Sequence, residues 1–256
     1  MTGPQIFTPE YYERMRGLES DGWWNAAMRD VAAQLLRDAA LASTGLMLDI
    51  GCGSGQTAVW FSSLYPGWRV AGLDLAIDGL VEARARGVDV TRASALDLPH
   101  PDASVDAIVT LDVVQHLPLD GGDEVALREM RRVLRTGGVL LLRTNAQAFP
   151  RTPDDPAFDF HRYEPEELRS KLERIGFRVD RLSRINALLG LAEIPRELRA
   201  GRTQASAYHG ILARPSSPDR WTNALKRRWL RLEGSAVRAG LALPFGRTIL
   251  ALCRAK

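Results

Sequence analysis

Cysteine is nearly absent from this chain. Cys52 and Cys253, the two in 256 residues, exclude a disulfide framework and supply no metal-ligand spacing, so a reducing, cytoplasmic setting is expected and no metal is. Long apolar runs are missing as well. None approaches the roughly 18 residues of a membrane span, and the first stretch, MTGPQIFTPEYYERM, has no apolar signal core. Lysine is scarce: of 34 basic residues only Lys171, Lys226 and Lys256 are lysine, a bias that points to genome composition before function. Repeats and low-complexity tracts are absent. What is present is ordinary for a globular protein, with 45% apolar and 25% charged residues.

The net charge of +3 hides an asymmetry. Residues 196–256 hold 13 Arg and Lys against Glu197, Asp219 and Glu233, a net of +10, while residues 1–195 carry a net of −7. The basic part contains KRRWLRLEG, but no longer basic stripe and no RNA-binding module. A solvated helix face that shapes a substrate lid is the expectation, with nucleic acid not expected and peripheral membrane contact left open.

Hydrophobic periodicity gives the order of elements. Residues 10–42 read as helix, with Trp23 and Trp24 at its entrance. LMLDI (46–50), WRVAGLDL (68–75), VDVTRA (88–93), SVDAIVTLDVV (104–114), VLLLRTN (139–145), FRVDRLSRI (177–185) and RTILALCRA (247–255) read as seven strands. Helices are expected over Ser54–Tyr65, 78–87, 121–138 (closed by Gly137-Gly138), 164–176 and 220–240. Strands alternating with helices argue for a mainly parallel sheet with helices on both faces, an α/β doubly wound fold. The expected division is an amino-terminal helical segment (1–44), a ligand-binding core (45–185), an inserted helical cap or lid (186–246) and a last core strand (247–256).

In such sheets the ligand lies beyond the carboxyl ends of the strands, where strand order reverses. The first strand runs into Gly51, Gly53 and Gly55 there. A dinucleotide fingerprint, G-x-G-x-x-G, needs its third glycine at position 56, which is Gln56. Asp49, just before the loop, opposes a diphosphate and suits a ligand that carries positive charge, such as the sulfonium nucleoside S-adenosylmethionine. Asp74 ends the second strand, where a carboxylate accepts hydrogen bonds from both ribose hydroxyls; dehydrogenases place an acid there too, so Asp74 does not discriminate.

LDIGCGSG, GLDL, ASALDLPHPDASVDAIV, LDVVQHL and LREMRRVLRTGGVLLL follow one another across 45–145. Together they resemble the class I S-adenosylmethionine-dependent methyltransferases, small-molecule (methyltransferase type 11/25-like) branch. The resemblance implies a Rossmann-like core and S-adenosylmethionine as cofactor, held by Asp49, Gly51, Gly53, Gly55, Asp74, Leu75, Ser94, Ala95, Leu96 and Asp112. Ser94-Ala95 stands where the family often has Asp–Ala, so the adenine contact is expected to be weaker or carried by backbone. A subset of the family is similar in LESDGWWNAAMRDV and HRYEPEELRSKLERIGF, although Gly22 stands where that subset often has His.

Methyl transfer is an in-line displacement that needs mainly alignment, and a base only where the nucleophile is protonated. His116, a few residues past the fourth strand, is the first candidate base, against a structural role in the turn into Leu117-Pro118; His161 is the second. Arg162 and Tyr163, with Trp24, are candidate substrate contacts, against bracing and packing roles. The expected activity is methyl transfer to a small molecule, at oxygen, in secondary or envelope metabolism, by a monomer or homodimer. The alternatives are an RNA or protein methyltransferase, and a protein that binds S-adenosylmethionine without transferring methyl.

Overall fold

Strand β1 (Gly45–Ile50) is an interior strand of a seven-stranded sheet, paired in parallel with β2 (Trp68–Asp74) on one side and β4 (Val105–Leu111) on the other. The computed structural model describes residues 23–147, 161–187 and 220–256. The strand order is β3-β2-β1-β4-β5-β7-β6, with β3 (Asp89–Arg92), β5 (Leu134–Asn145), β6 (Phe177–Ile185) and β7 (Thr248–Ala255). β7 runs antiparallel to both β5 and β6, the one hairpin-like departure from a parallel sheet. The chain winds outward one way from β1 to β3 and the other way from β4, so the switch point falls between β1 and β4.

Side-chain alternation builds two apolar layers. Leu48 and Ile50 of β1 face α4 (Gly122–Val133) and α5 (Pro165–Ile175), among Leu127, Met130, Leu168 and Leu172. Met47 faces α1 (Trp23–Asp38) and α6 (Arg220–Arg238), among Met28, Leu35, Leu230 and Val237. Helix α1 buries Ala27, Met28, Val31, Ala32, Leu35 and Leu36 at helical spacing, each large side chain contributing about 1.5–3 kcal/mol by burial. Two further helices, α2 (Gln56–Leu64) and α3 (Ile77–Ala85), follow β1 and β2. Among the described residues no helix is long and apolar enough to cross a membrane.

Two boundaries differ from the sequence expectation. Helix α4 ends at Val133, not at Gly137-Gly138, and β5 starts at once with Leu134. Val105 pairs with Leu134 and Ala107 already with Val139, so a bulge takes up the extra residues, with Gly137 at φ +79. The glycines thus shape a strand where a helix stop was expected. The described part of the expected cap, α6, is packed in the same layer as α1: Leu230 and Val237 share its apolar cluster, and Glu233, 6% exposed, accepts the backbone N–H groups of Asn186 and Ala187 and the indole N–H of Trp229. Residues 1–22 and 188–219 of the expected amino-terminal segment and cap lie outside the described residues.

Candidate active site

The loop after β1 turns by three glycines in the left-handed region, Gly51 at φ +74, Gly53 at +48 and Gly55, which opens α2, at +79. Two of these positions do different work. A Cβ on Gly51 would meet Val113 Cγ2 at 2.2 Å, so Gly51 lets the loop pass beneath the end of β4. A Cβ on Gly53 would meet no atom of the described residues within 4 Å, so among them this edge of the loop is open to a ligand.

The amides of the loop point inward. Gly51 and Cys52 donate to the Leu73 carbonyl (2.7 and 3.0 Å), Gly55 donates to Cys52 (2.8 Å), and Gly53 donates to Asp74 Oδ2 (2.9 Å). A diphosphate site turns such donors toward the ligand. Here they are spent on β2 and on a carboxylate. The local field has the same sign. Burial pushes the Cys52 thiol far up, and Asp49 and Asp74 push it further. Asp49 is 2% exposed at the end of β1. The donor set at the open edge is therefore anionic and suits a cation.

Asp74, expected to meet a ribose, is also a turn brace: its Oδ1 accepts from Ala76 N at 2.9 Å while Oδ2 holds Gly53. An ionised carboxylate has about four acceptor sites, so two remain. Leu75 beside it is 55% exposed. Ser94 Oγ accepts from Leu96 N at 3.1 Å, which fixes the Ser94-Ala95-Leu96 turn. Glu129 and Arg132 of α4 hold the far side of that turn: Leu98 N donates to Glu129 Oε2 (2.9 Å), and Arg132 donates to the carbonyls of Leu98 and His100. Sequence reading missed this pair, which an acid and a base three apart on a helix do not announce.

Asp112 sits at φ +61 immediately after β4. Its carboxylate takes Arg143 Nε (3.0 and 3.1 Å) and Nη2, and its N–H donates to the Arg143 carbonyl. An acid expected among the cofactor contacts is thus also the partner of a buried guanidinium, and Arg143 itself was not singled out by sequence. His116 closes the 3₁₀ turn Val114–His116; burial lowers its imidazole to about 4 against a smaller raising effect of Asp112, so the ring is neutral near pH 7. His161 is drawn to the same loop, N–H to the Gln115 carbonyl (2.8 Å) and Nε2–H to the Pro118 carbonyl (3.2 Å). Gln115, 5% exposed, accepts from Thr144 and Asn145 and so locks the loop to β5.

The remaining candidates divide. Trp24 is half-buried at the head of α1, its ring edge-on to Trp23 at 5.9 Å, in the cluster that includes Leu111. Arg162 is half-buried beside His161. Tyr163 does not face a substrate: it is 1% exposed, and its hydroxyl donates to Asp123 at 2.7 Å. The sequence offered it as a substrate contact against bracing and packing roles, and the partner that buries it lies 40 residues away.

Known proteins share the core that carries this loop. A family profile described as "Methyltransferase domain" (type 11) matches residues 48–142, from β1 through β5. The chain carries a class I S-adenosylmethionine-dependent methyltransferase domain. The chain is 38% identical over 153 residues to a probable S-adenosylmethionine-dependent methyltransferase of Mycolicibacterium smegmatis, 58% of each chain. A fatty-acid O-methyltransferase of the same organism is 34% identical over 99 residues, 37% of this chain and 35% of the relative. The chain spans about half the length of the curated relatives it matches first, 43–58%. Among solved structures, phosphoethanolamine N-methyltransferase 2 of Haemonchus contortus, in complex with S-adenosylmethionine, shares the fold at a TM-score of 0.62 and 17% identity, covering 98% of this chain and 58% of that one.

Proposed function

We propose that the protein transfers a methyl group from S-adenosylmethionine to an oxygen nucleophile of a small molecule. The observation that carries this reading is the open edge at Gly53 inside an anionic loop in which the amides of Gly51, Cys52, Gly53 and Gly55 are already spent. The similarity to a fatty-acid O-methyltransferase supports oxygen and a small acceptor. When bound, the cofactor supplies a methyl already activated by sulfonium. The protein's share is alignment, worth at best about 7–11 kcal/mol. Asp49 and Asp74 set the field for the cation, Asp74 offers its free acceptor sites to the ribose, Leu75 and the Ser94–Leu96 turn cover the base, and the Asp112, His116 and His161 loops wall the transfer site. His116, held neutral, and His161 are the candidate proton acceptors for a hydroxyl acceptor.

Calorimetric titration with S-adenosylmethionine and S-adenosylhomocysteine, followed by release of the latter with a panel of small oxygen acceptors, tests the reading; absence of heat with both would reject it. Asp74→Ala is expected to weaken the affinity for S-adenosylhomocysteine more than about tenfold, because a charged acceptor and the brace on Gly53 go together. An unchanged dissociation constant would remove Asp74 from the site. Gly53→Ala is expected to cost the fold only about 1–2 kcal/mol, the left-handed penalty with no clash, and to lower the same affinity at least about tenfold, the equivalent of 1.4 kcal/mol. Thermal melting and calorimetry on one sample separate the two effects.

A further inference from the structure

We propose that Arg143 is the anion receptor of the acceptor site and that the acceptor is a carboxylic acid bound in its ionised form. This assignment rests on the methyl-transfer reading above and names its substrate class. Arg143 is near the carboxyl end of β5, with a side chain 9% exposed. Register puts it on the sheet face of the site: Asp49 pairs with Val109 and Val109 with Leu141, and Arg143 follows Leu141 by one full side-chain period. Asp49 and Arg143 therefore look to the same side, at the strand ends where the ligand crevice opens.

A guanidinium carries five N–H donors in a fixed fork. Asp112 takes one edge, the Nε and Nη2 side, with both carboxylate oxygens. The other edge, Nη1 with the second Nη2 proton, has no partner among the described residues. Nη1 is not buried away from solvent, so this edge is reachable from the site, where an acceptor can meet it. The ion pair is open on the Asp112 side, whose side chain is 38% exposed. The vacant edge has the width and donor spacing of a carboxylate, which it takes by two parallel hydrogen bonds.

The chemistry closes without a proton. A carboxylate oxygen forms a bond to the methyl carbon, the carbon–sulfur bond breaks, and its electron pair stays on sulfur. The products are a methyl ester and S-adenosylhomocysteine. Neither candidate histidine has to accept a proton, because an acid is already ionised near pH 7. The ester has lost its charge, so the Coulomb attraction that held the acid is gone and the product leaves.

The same carboxylate chemistry exists in the cofactor's amino-acid end, and the test separates the two sources. Wild-type protein saturated with S-adenosylhomocysteine is titrated with octanoate and benzoate, and with octanamide and benzamide as neutral counterparts. The expected result is at least a tenfold preference for the acids. Arg143→Gln is expected to abolish that preference and leave the affinity for S-adenosylhomocysteine within threefold, and Arg143→Lys to restore part of it. A loss of S-adenosylhomocysteine affinity in Arg143→Gln would move the edge to the cofactor and overturn the proposal. Equal binding of acids and amides to the wild type would overturn it with no variant involved, so a folding defect in Arg143→Gln does not shield it. A wild type that does not bind S-adenosylhomocysteine would instead overturn the methyl-transfer reading, and this one with it.

Discussion

Asp123→Ala is expected to destabilise the protein by about 3–5 kcal/mol, the cost of removing one partner of a buried ion pair. Asp123 is 1% exposed in the first turn of α4. Its Oδ2 accepts from the Tyr163 hydroxyl at 2.7 Å and from the Lys171 ammonium, and its Oδ1 from Glu124 N at 2.7 Å. Lys171 also lies 5.5 Å from the centre of the Tyr163 ring. One carboxylate thus joins α4, α5 and the segment that follows His161. Burial opposes its charge, yet hydrogen bonds from Lys171 and Tyr163 more than offset this, and its carboxyl lies below the ordinary value. Such a group stabilises fully above the ordinary carboxylate range and loses its contribution as pH falls. Without it a cation and a phenol hydroxyl stay buried with nothing to accept their protons. Urea unfolding at pH 7 reads the loss as a lower midpoint at constant slope. Asp123→Ala/Lys171→Met should recover part of the stability, because the stranded charge is gone too. A single-variant loss under about 1 kcal/mol would show that the trio is incidental.

Most of the sheet was legible because its inner strands are apolar runs bounded by turn signals: LMLDI before the glycines, TILALCRA near the chain's last residues. The glycine loop was legible by its departure from the dinucleotide spacing at Gln56, and the inward amides give that departure its physical sense. Other features had no local signature. An apolar run does not encode its direction, so the antiparallel course of β7 could not be read from it. RTGG reads as a helix stop, whereas the pairing of β4 with β5 turns it into a bulge. The partners of Tyr163 and Asp112 had no local signature for one reason: each is a polar side chain paired with a residue 30–40 positions away, Asp123 for one and Arg143 for the other. Arg143 sits inside VLLLRTN, where strand periodicity invites no functional reading of a single charge.

Between pH 6.5 and about 4, His116 is expected to account for the loss of about 3 kcal/mol of stability. Burial lowers its imidazole to about 4, partly opposed by Asp112. The sign follows from proton counting. In the unfolded chain the ring takes up its proton near 6.5, while the folded protein refuses it until about 4, so within this window the unfolded state binds more protons and falling pH favours it. Above 6.5 the contribution is complete, and below about 4 it declines no further. Asp123 and Glu129, both held below the ordinary carboxylate value, add to the acid loss, so the test is a difference. His116→Gln, which keeps a polar group and cannot take up a proton, should show a clearly smaller drop in urea midpoint from pH 7 to pH 4.5 than the wild type; parallel curves would mean that the ring titrates in the folded state as freely as in the unfolded one. The same variant decides the chemistry of the site. With an ionised acid as acceptor no base is needed, and turnover in His116→Gln should stay within about tenfold of the wild type and flat from pH 6 to 9. A fall of 10²-fold or more in a folded variant is the size of effect that a general base provides, and would mark the acceptor as a hydroxyl that surrenders its proton to His116.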